Sequence, residues 1–347
     1  MQFKTDSIKK ILVIRYRSIG DILLCNPTLA GLRRRFPDAK IHLLIDDIFE
    51  EILYNNPNVD RLVLNRRNKE NSGLKSDLET IKEIRSEKYD LVVDLQTGPR
   101  GAITTLLSGA KIRAGHPYRL RNRLCYNVYA EKASPDDHSW RIQFRTVRPF
   151  GADWPKKPEL FLDVPDKAIE SARGRLNKAG LMFDRPIVLL HPGARVQVKR
   201  WPAVKLGLLS RWLVDEKLCA VVLVGSEADR DEIKAIRKAS GYALPFFTDL
   251  GLLELAALLK ISNMVVCNDS GPMHMAGALN TPMVALFGPS DPTLWTPLGS
   301  PSITISCAPM ECMPCDQNNC VREGAHCMTH IEIDEVKLAI ERLGALI

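Results

Sequence analysis

Aromatic residues make up only 6% of the 347-residue chain, and no recognised DNA- or RNA-binding motif accompanies them. Its positive charge therefore does not read as a nucleic-acid footprint. No apolar run approaches the ~18 residues that cross a bilayer. The opening stretch MQFKTDSIKKILVIRYRSIGD does not read as a signal peptide, because Arg15 and Arg17 interrupt its short apolar run. These absences lead to the expectation of a cytoplasmic protein whose contact with a membrane is peripheral. Glycine is sparse where a dinucleotide would need it. The turn RYRSIGDILLCNP (15–27) has Gly20 alone, whereas a dinucleotide fingerprint has three glycines at fixed spacing, which argues against NAD or FAD there. There is no close internal repeat and no low-complexity tract.

What is present is the composition of a soluble globular protein, 45% hydrophobic and 26% charged. The length exceeds one ordinary core, so two domains are expected. The formal net charge of +7 is concentrated: Lys111 to Arg148 holds nine basic and three acidic residues. Most charge runs are solvated faces that aid solubility. One this localised points instead to an anionic partner, a phosphorylated substrate or a membrane surface.

Short β-branched runs alternate with helix-like stretches, in two series. The first is ILVIR (11–15), KIHLLI (40–45), RLVLN (61–65) and DLVVDL (90–95), with an amphipathic stretch from Leu74 to Glu87. The second is IVLLHPG (187–193), AVVLVGS (220–226), MVVCNDSG (264–271) and MVALFG (283–288), with helical patterns at 168–179 and 203–216. Such alternation predicts α/β architecture, two doubly wound domains with parallel sheets covered on both faces. The four prolines of PFGADWPKKPELFLDVPDKA (149–168) mark the linker, giving domains 1–165 and 166–347. Ligands of paired α/β domains bind in the cleft between them.

The candidate chemistry lies where strands run into helices. Asp21 falls in the first helical turn after the first strand. There it is either an N-cap, the commoner reading from local pattern, or a carboxylate able to take a proton from an acceptor hydroxyl. In LLHPGARVQVKRWP, Gly193 permits close approach and Lys199 offers a mobile charge suited to phosphate, although most loop lysines are only solvated. Glu227, after the strand AVVLV, suits the helix dipole and could also hold a ribose diol. In CNDSGPMH, Ser270 and Gly271 can present backbone N–H groups to a diphosphate. Asp269 is better suited to sugar hydroxyls, and His274 one turn later could equally be a buried helix residue.

Five of the nine cysteines fall between Cys307 and Cys327. The spacing C-x2-C-x4-C-x6-C (Cys312, Cys315, Cys320, Cys327) allows a thiolate-bound structural Zn or Fe, though it matches no common pattern well. Reduced, unliganded thiols fit the same residues, and a cytoplasmic location argues against disulfides.

Taken together, ILVIRYRSIGDILLCNP, VVCNDSGPMHMAGALNTPMVALFGPSDP, the cysteine-rich tail and HIEIDEV resemble the ADP-heptose:lipopolysaccharide heptosyltransferases, almost end to end. The second stretch is the most specific, with Gly277 in place of one of the family's small alanines. The resemblance implies a GT-B fold of two Rossmann-like domains facing across a cleft, with the acceptor on the first and the donor on the second. It implies Asp21 as general base, Lys199 at the diphosphate, and Asp269, Ser270, Gly271 and His274 around the donor. Leu250 would lie under adenine. No cofactor is implied for catalysis. The basic segment, with Arg119, Arg121, Arg123, His138 and Arg141, would face an anionic lipid A-core acceptor at the cytoplasmic face of the inner membrane. Two alternatives remain: a related transferase with a protein acceptor or another nucleotide sugar, and a non-catalytic, metal-dependent interaction protein.

Overall fold

A computed structural model describes the chain except residues 1–6, 67–72, 118–119, 182, 308–309, 314, 316, 318–319, 323–325 and 347. The chain divides into two compact units, Met1–Asp163 and Val164–Ile347.

In the first unit, β1 (Lys10–Ile14) is followed by α1 (Ile19–Leu23), α2 (Asn26–Arg35) and β2 (Lys40–Asp46). Residues 19–35 thus form two helices rather than one, because Pro27 fits only the first turn of a new helix. Then come β3 (Arg61–Asn65), α3 (Gly73–Glu87), β4 (Leu91–Asp94), α4 (Pro99–Leu107), β5 (Ile112–Gly115), β6 (Val128–Tyr129) and α5 (Ser139–Phe144). The six strands are parallel in the order β3-β2-β1-β4-β5-β6. The chain thus reverses its direction of travel across the sheet between β1 and β4. Crevices that receive ligands open at the carboxyl ends of such a strand pair.

The second unit repeats the plan. It runs α6 (Asp166–Lys178), β7 (Ile187–His191), α7 (Ala203–Asp215), β8 (Ala220–Val224), α8 (Arg230–Ser240), β9 (Phe246–Phe247) and α9 (Leu252–Ile261). It continues with β10 (Met264–Asn268), α10 (Gly271–Ala278), β11 (Met283–Phe287), α11 (Pro292–Trp295), β12 (Ser302–Ser306) and α12 (Ile333–Leu343). The parallel order is β12-β11-β10-β7-β8-β9, so the reversal falls between β7 and β10.

The central strands β4, β10 and β11 are buried along their whole length and β1 from Ile11 onward, which is why their sequences are continuous apolar runs rather than alternating ones. The core of the second unit joins Val188, Leu190 and Val266 to Trp201, Trp212 and Ile340 from the covering segments. Helices α7 and α8 approach closely because position 207 is glycine: a Cβ there would lie 2.5 Å from that of Ala239. Among the described residues, no helix is long and apolar enough to cross a membrane.

Candidate active site

At the second unit's switch point, Asn268 ends β10 fully buried. Its amide Nδ2 donates to the carbonyls of Pro192 (2.8 Å) and Gly193 (3.3 Å), and its Oδ1 accepts from the Trp201 amide at 3.1 Å. One side chain thus fastens the loop after β7 to the end of β10. Trp201 is buried and donates its indole N–H to Ile331 O at 3.1 Å, which anchors the loop's far side.

Held this way, Lys199 Nζ reaches Asp269 Oδ2 at 2.7 Å. Asp269 is 8% exposed, so the pair is largely withdrawn from water. Ser270 caps α10, its hydroxyl lying 3.0 Å from Asn268 O and 3.5 Å from His191 Nδ1. Gly271 opens α10, whose first backbone N–H groups have no partner within the helix and carry partial positive charge. Burial drives His191 down to about 4, so its imidazole is neutral at pH 7. His274, one turn into α10, is buried edge-on to Trp295, ring centroids 6.4 Å apart.

Gly193 has a local reason to be glycine, since a Cβ would lie 2.8 Å from the Asp229 carboxylate. That carboxylate accepts from Ser226 N and Oγ at 2.8 and 2.7 Å and pairs with Arg200 at 3.0 Å. The loops after β7 and β8 are therefore joined through Asp229. Glu227 is exposed. It accepts from Thr248 Oγ1 at 2.7 Å and pairs with Arg230, which holds its carboxyl down to about 2. Leu250, half-buried, follows Thr248 by two residues.

In the first unit, Asp21 lies in the first turn of α1, at the carboxyl end of β1. Ser18, not Asp21, is the N-cap of α1; its hydroxyl donates to Asp21 Oδ2 at 3.0 Å and its amide approaches at 3.5 Å, so Asp21 closes a capping box as the third helical residue. Its other oxygen pairs with buried Arg15, whose guanidinium also donates to Leu95 O beyond β4. The carboxylate is thereby fixed across the β1–β4 switch point while remaining half-buried.

The basic segment is less uniform than its composition suggests. Arg119 lies outside the described residues, and only the backbone of Arg121 is described, in a 3₁₀ turn, Leu120–Cys125. Arg123 is exposed, 5.6 Å from the Tyr129 ring. Arg145 pairs with Asp137 at 2.5 Å and Arg148 with Glu131 at 3.5 Å, so part of the excess charge is neutralised locally. Arg113 donates to the carbonyls of Cys125 and Ala110. His138 caps α5, Nδ1 accepting from Trp140 N at 3.3 Å. Arg141 stays exposed, 5.2 and 5.3 Å from the rings of Trp140 and Trp154.

Cys312, Cys315, Cys320 and Cys327 line one cavity of about 300 Å³, together with Val198 and Pro289. Yet among the described residues no three or more His, Cys, Asp or Glu side chains are placed to share an ion. The four-thiolate cage read from the spacing is therefore not formed there. Cys320 is exposed and directs its thiol to Arg322 O at 3.5 Å, while burial pushes Cys327 up to about 12 as it lies beside Cys307.

Two parallel, doubly wound units, each with polar side chains gathered at its switch point, make the GT-B fold. The chain belongs to glycosyltransferase family 9 (heptosyltransferase), whose model matches residues 78–326. It is 28% identical over 287 residues to lipopolysaccharide heptosyltransferase 3 of Escherichia coli, covering 80% of this chain and 83% of that one. The crystal structure of a family 9 glycosyltransferase from Veillonella parvula matches with a TM-score of 0.83 at 24% identity, covering 96% and 97% of the two chains. The E. coli heptosyltransferase WaaC with ADP-2-deoxy-2-fluoro heptose matches at 0.72 and 18% identity, covering 96% and 99%.

Proposed function

We propose that the protein transfers heptose from ADP-heptose to an acceptor of the lipopolysaccharide inner core, with inversion at the anomeric carbon. The observation that carries this reading is the Lys199–Asp269 pair set against Ser270 and the start of α10. A cation, a sugar-binding carboxylate and oriented backbone N–H groups meet there at a ligand-binding switch point.

Lys199 and the Ser270–Gly271 amides receive the diphosphate, and Asp269 accepts hydrogen bonds from heptose hydroxyls. Glu227 takes the ribose diol and Leu250 packs under adenine, with His274 closing the floor. Asp21 removes the proton from the acceptor hydroxyl. That oxygen attacks the anomeric carbon as the bond to the diphosphate breaks, and the electron pair leaves with ADP. Stabilising the leaving group is electrostatic preorganisation, which needs no cofactor. Arg119, Arg121, Arg123, His138 and Arg141 serve the anionic acceptor, which is presented at the cytoplasmic face of the inner membrane.

The test is incubation with ADP-heptose and a set of truncated core acceptors, followed by mass spectrometry. A product one heptose heavier on a Kdo- or heptose-ended acceptor is expected. Transfer only from another nucleotide sugar, or only to protein, would replace this reading.

A further inference from the structure

Helix α3 carries two different flanks. Glu83 and Glu87 turn to β3, where both pair with Arg61, at 2.6 and 2.7 Å. Lys75, Leu78, Lys82 and Arg85, at helical spacing on the opposite flank, are all exposed. Leu78 is 63% exposed. This second flank borders α4, because Arg85 donates to Leu107 O at 3.0 Å and Arg100 pairs with Asp77 at 2.8 Å.

The outer face of α4 is itself apolar. Ile103, Leu106 and Leu107, spaced i, i+3 and i+4, are 51%, 44% and 38% exposed. On the other side of α4, Cys125 and Tyr126 pack onto Ala102, and Leu124 immediately precedes them in the chain. Leu124 is 82% exposed. Basic side chains flank the C-terminal end of α4, where Arg85, Lys88 and Lys111 line a shallow cavity of about 340 Å³.

Single exposed leucines are ordinary. Five large apolar side chains on adjoining elements, bordered by Lys and Arg, form the amphipathic pattern of a surface that lies in a lipid interface. We infer that the α3–α4 face, extended by Leu124, docks on an anionic bilayer. Leu78, Ile103, Leu106 and Leu124 would enter the headgroup boundary while the basic rim meets lipid phosphates. The rim decides against a second copy of the chain as the occupant: a two-fold pairing would oppose like charges across the contact, whereas an anionic surface attracts them. The inference adds a membrane-binding face to the transfer reading without using any residue assigned there to donor or acceptor.

The experiment is co-sedimentation of the full chain with phosphatidylcholine vesicles, with and without about one third phosphatidylglycerol. Partition onto the anionic vesicles should exceed that onto the neutral ones by at least about tenfold, and should fall as the Debye length shrinks from ~10 Å at 0.1 M salt to ~3 Å at 1 M. Leu106→Glu and Leu124→Glu should each reduce binding about tenfold or more, and Lys82→Glu/Arg85→Glu more steeply at low salt than at high. All these side chains are exposed, so circular dichroism and ADP affinity should match wild type. Turnover of a water-soluble acceptor should persist, which separates loss of docking from failure of the transfer reading. Equal binding to both vesicle types, or no effect of the leucine variants, would overturn the inference. So would a dimer of the free protein that Leu106→Glu dissociates, since a second copy would then cover the face.

Discussion

Replacing Lys199 by methionine should strand a carboxylate. Asp269 is 8% exposed and its cation partner stands 2.7 Å away, so the charge left behind has little water to turn to. Removing one member of a buried pair costs about 3–5 kcal/mol. Here the start of α10 offsets part of that, and Lys199 keeps 17% side-chain exposure, which brings the expectation to about 2–3 kcal/mol. Asp269→Asn should cost less, about 1–2 kcal/mol, because the flexible lysine can carry its charge outward. The double variant Lys199→Met/Asp269→Asn should recover most of the loss, giving a coupling of about 1–3 kcal/mol. Calorimetry of the second unit's transition is the assay, and about 2 kcal/mol should appear as a Tm shift of roughly 4–8 °C. ADP titration supplies the functional half: both variants lacking Lys199 should bind ADP more weakly, whatever their stability. Single costs below about 0.5 kcal/mol that simply add in the double variant would refute a coupled, desolvated pair.

His191 titrates near 4 in the fold against an ordinary 6.5, so the native state binds fewer protons than the unfolded chain between those values. Its contribution to stability is complete above about 6.5 and is lost as pH falls toward 4; His191→Gln should flatten that part of the Tm–pH curve relative to wild type, and identical curves would contradict the burial. Neutralising Arg119, Arg121 and Arg123 together should raise the acceptor KM and spare ADP affinity, with the difference shrinking at high salt; equal acceptor KM at low salt would remove these arginines from the acceptor site.

Strands β1, β2, β4, β7, β8, β10 and β11 were legible because a parallel strand buried on both faces must be an apolar run, whereas β3, a partly exposed edge strand, was legible from its short apolar run Leu62–Leu64 alone. Strands β5, β6, β9 and β12 were not: IRAG and SITIS are short and only partly apolar, and they are strands because a neighbour supplies the ladder. The position of Lys199 and Asp269 could be read from turn chemistry, since Gly, Ser and Pro mark where β10 gives way to α10. Their pairing could not, because it depends on Asn268 fastening two loops about 70 residues apart in the chain. Arg15 served in the sequence only to interrupt an apolar run, yet it is the partner of Asp21. Asp94 passed as part of a strand. It is buried at the end of β4 with Tyr126 donating to it at 2.6 Å, and burial raises its carboxyl to about 6. The cysteine spacing was legible but its geometry was not: among the described residues, no three or more His, Cys, Asp or Glu side chains are placed to share an ion.

The role of Asp21 is open to the most direct measurement: turnover of ADP-heptose by Asp21→Asn beside ADP affinity and thermal stability of the same variant. As general base, Asp21 should be worth ~10²–10⁴-fold in kcat, with the Kd for ADP close to wild type because the residues proposed to hold the donor belong to the second unit. Full turnover accompanied by a loss of stability would contradict that assignment and leave Asp21 as the capping-box partner of Ser18 alone.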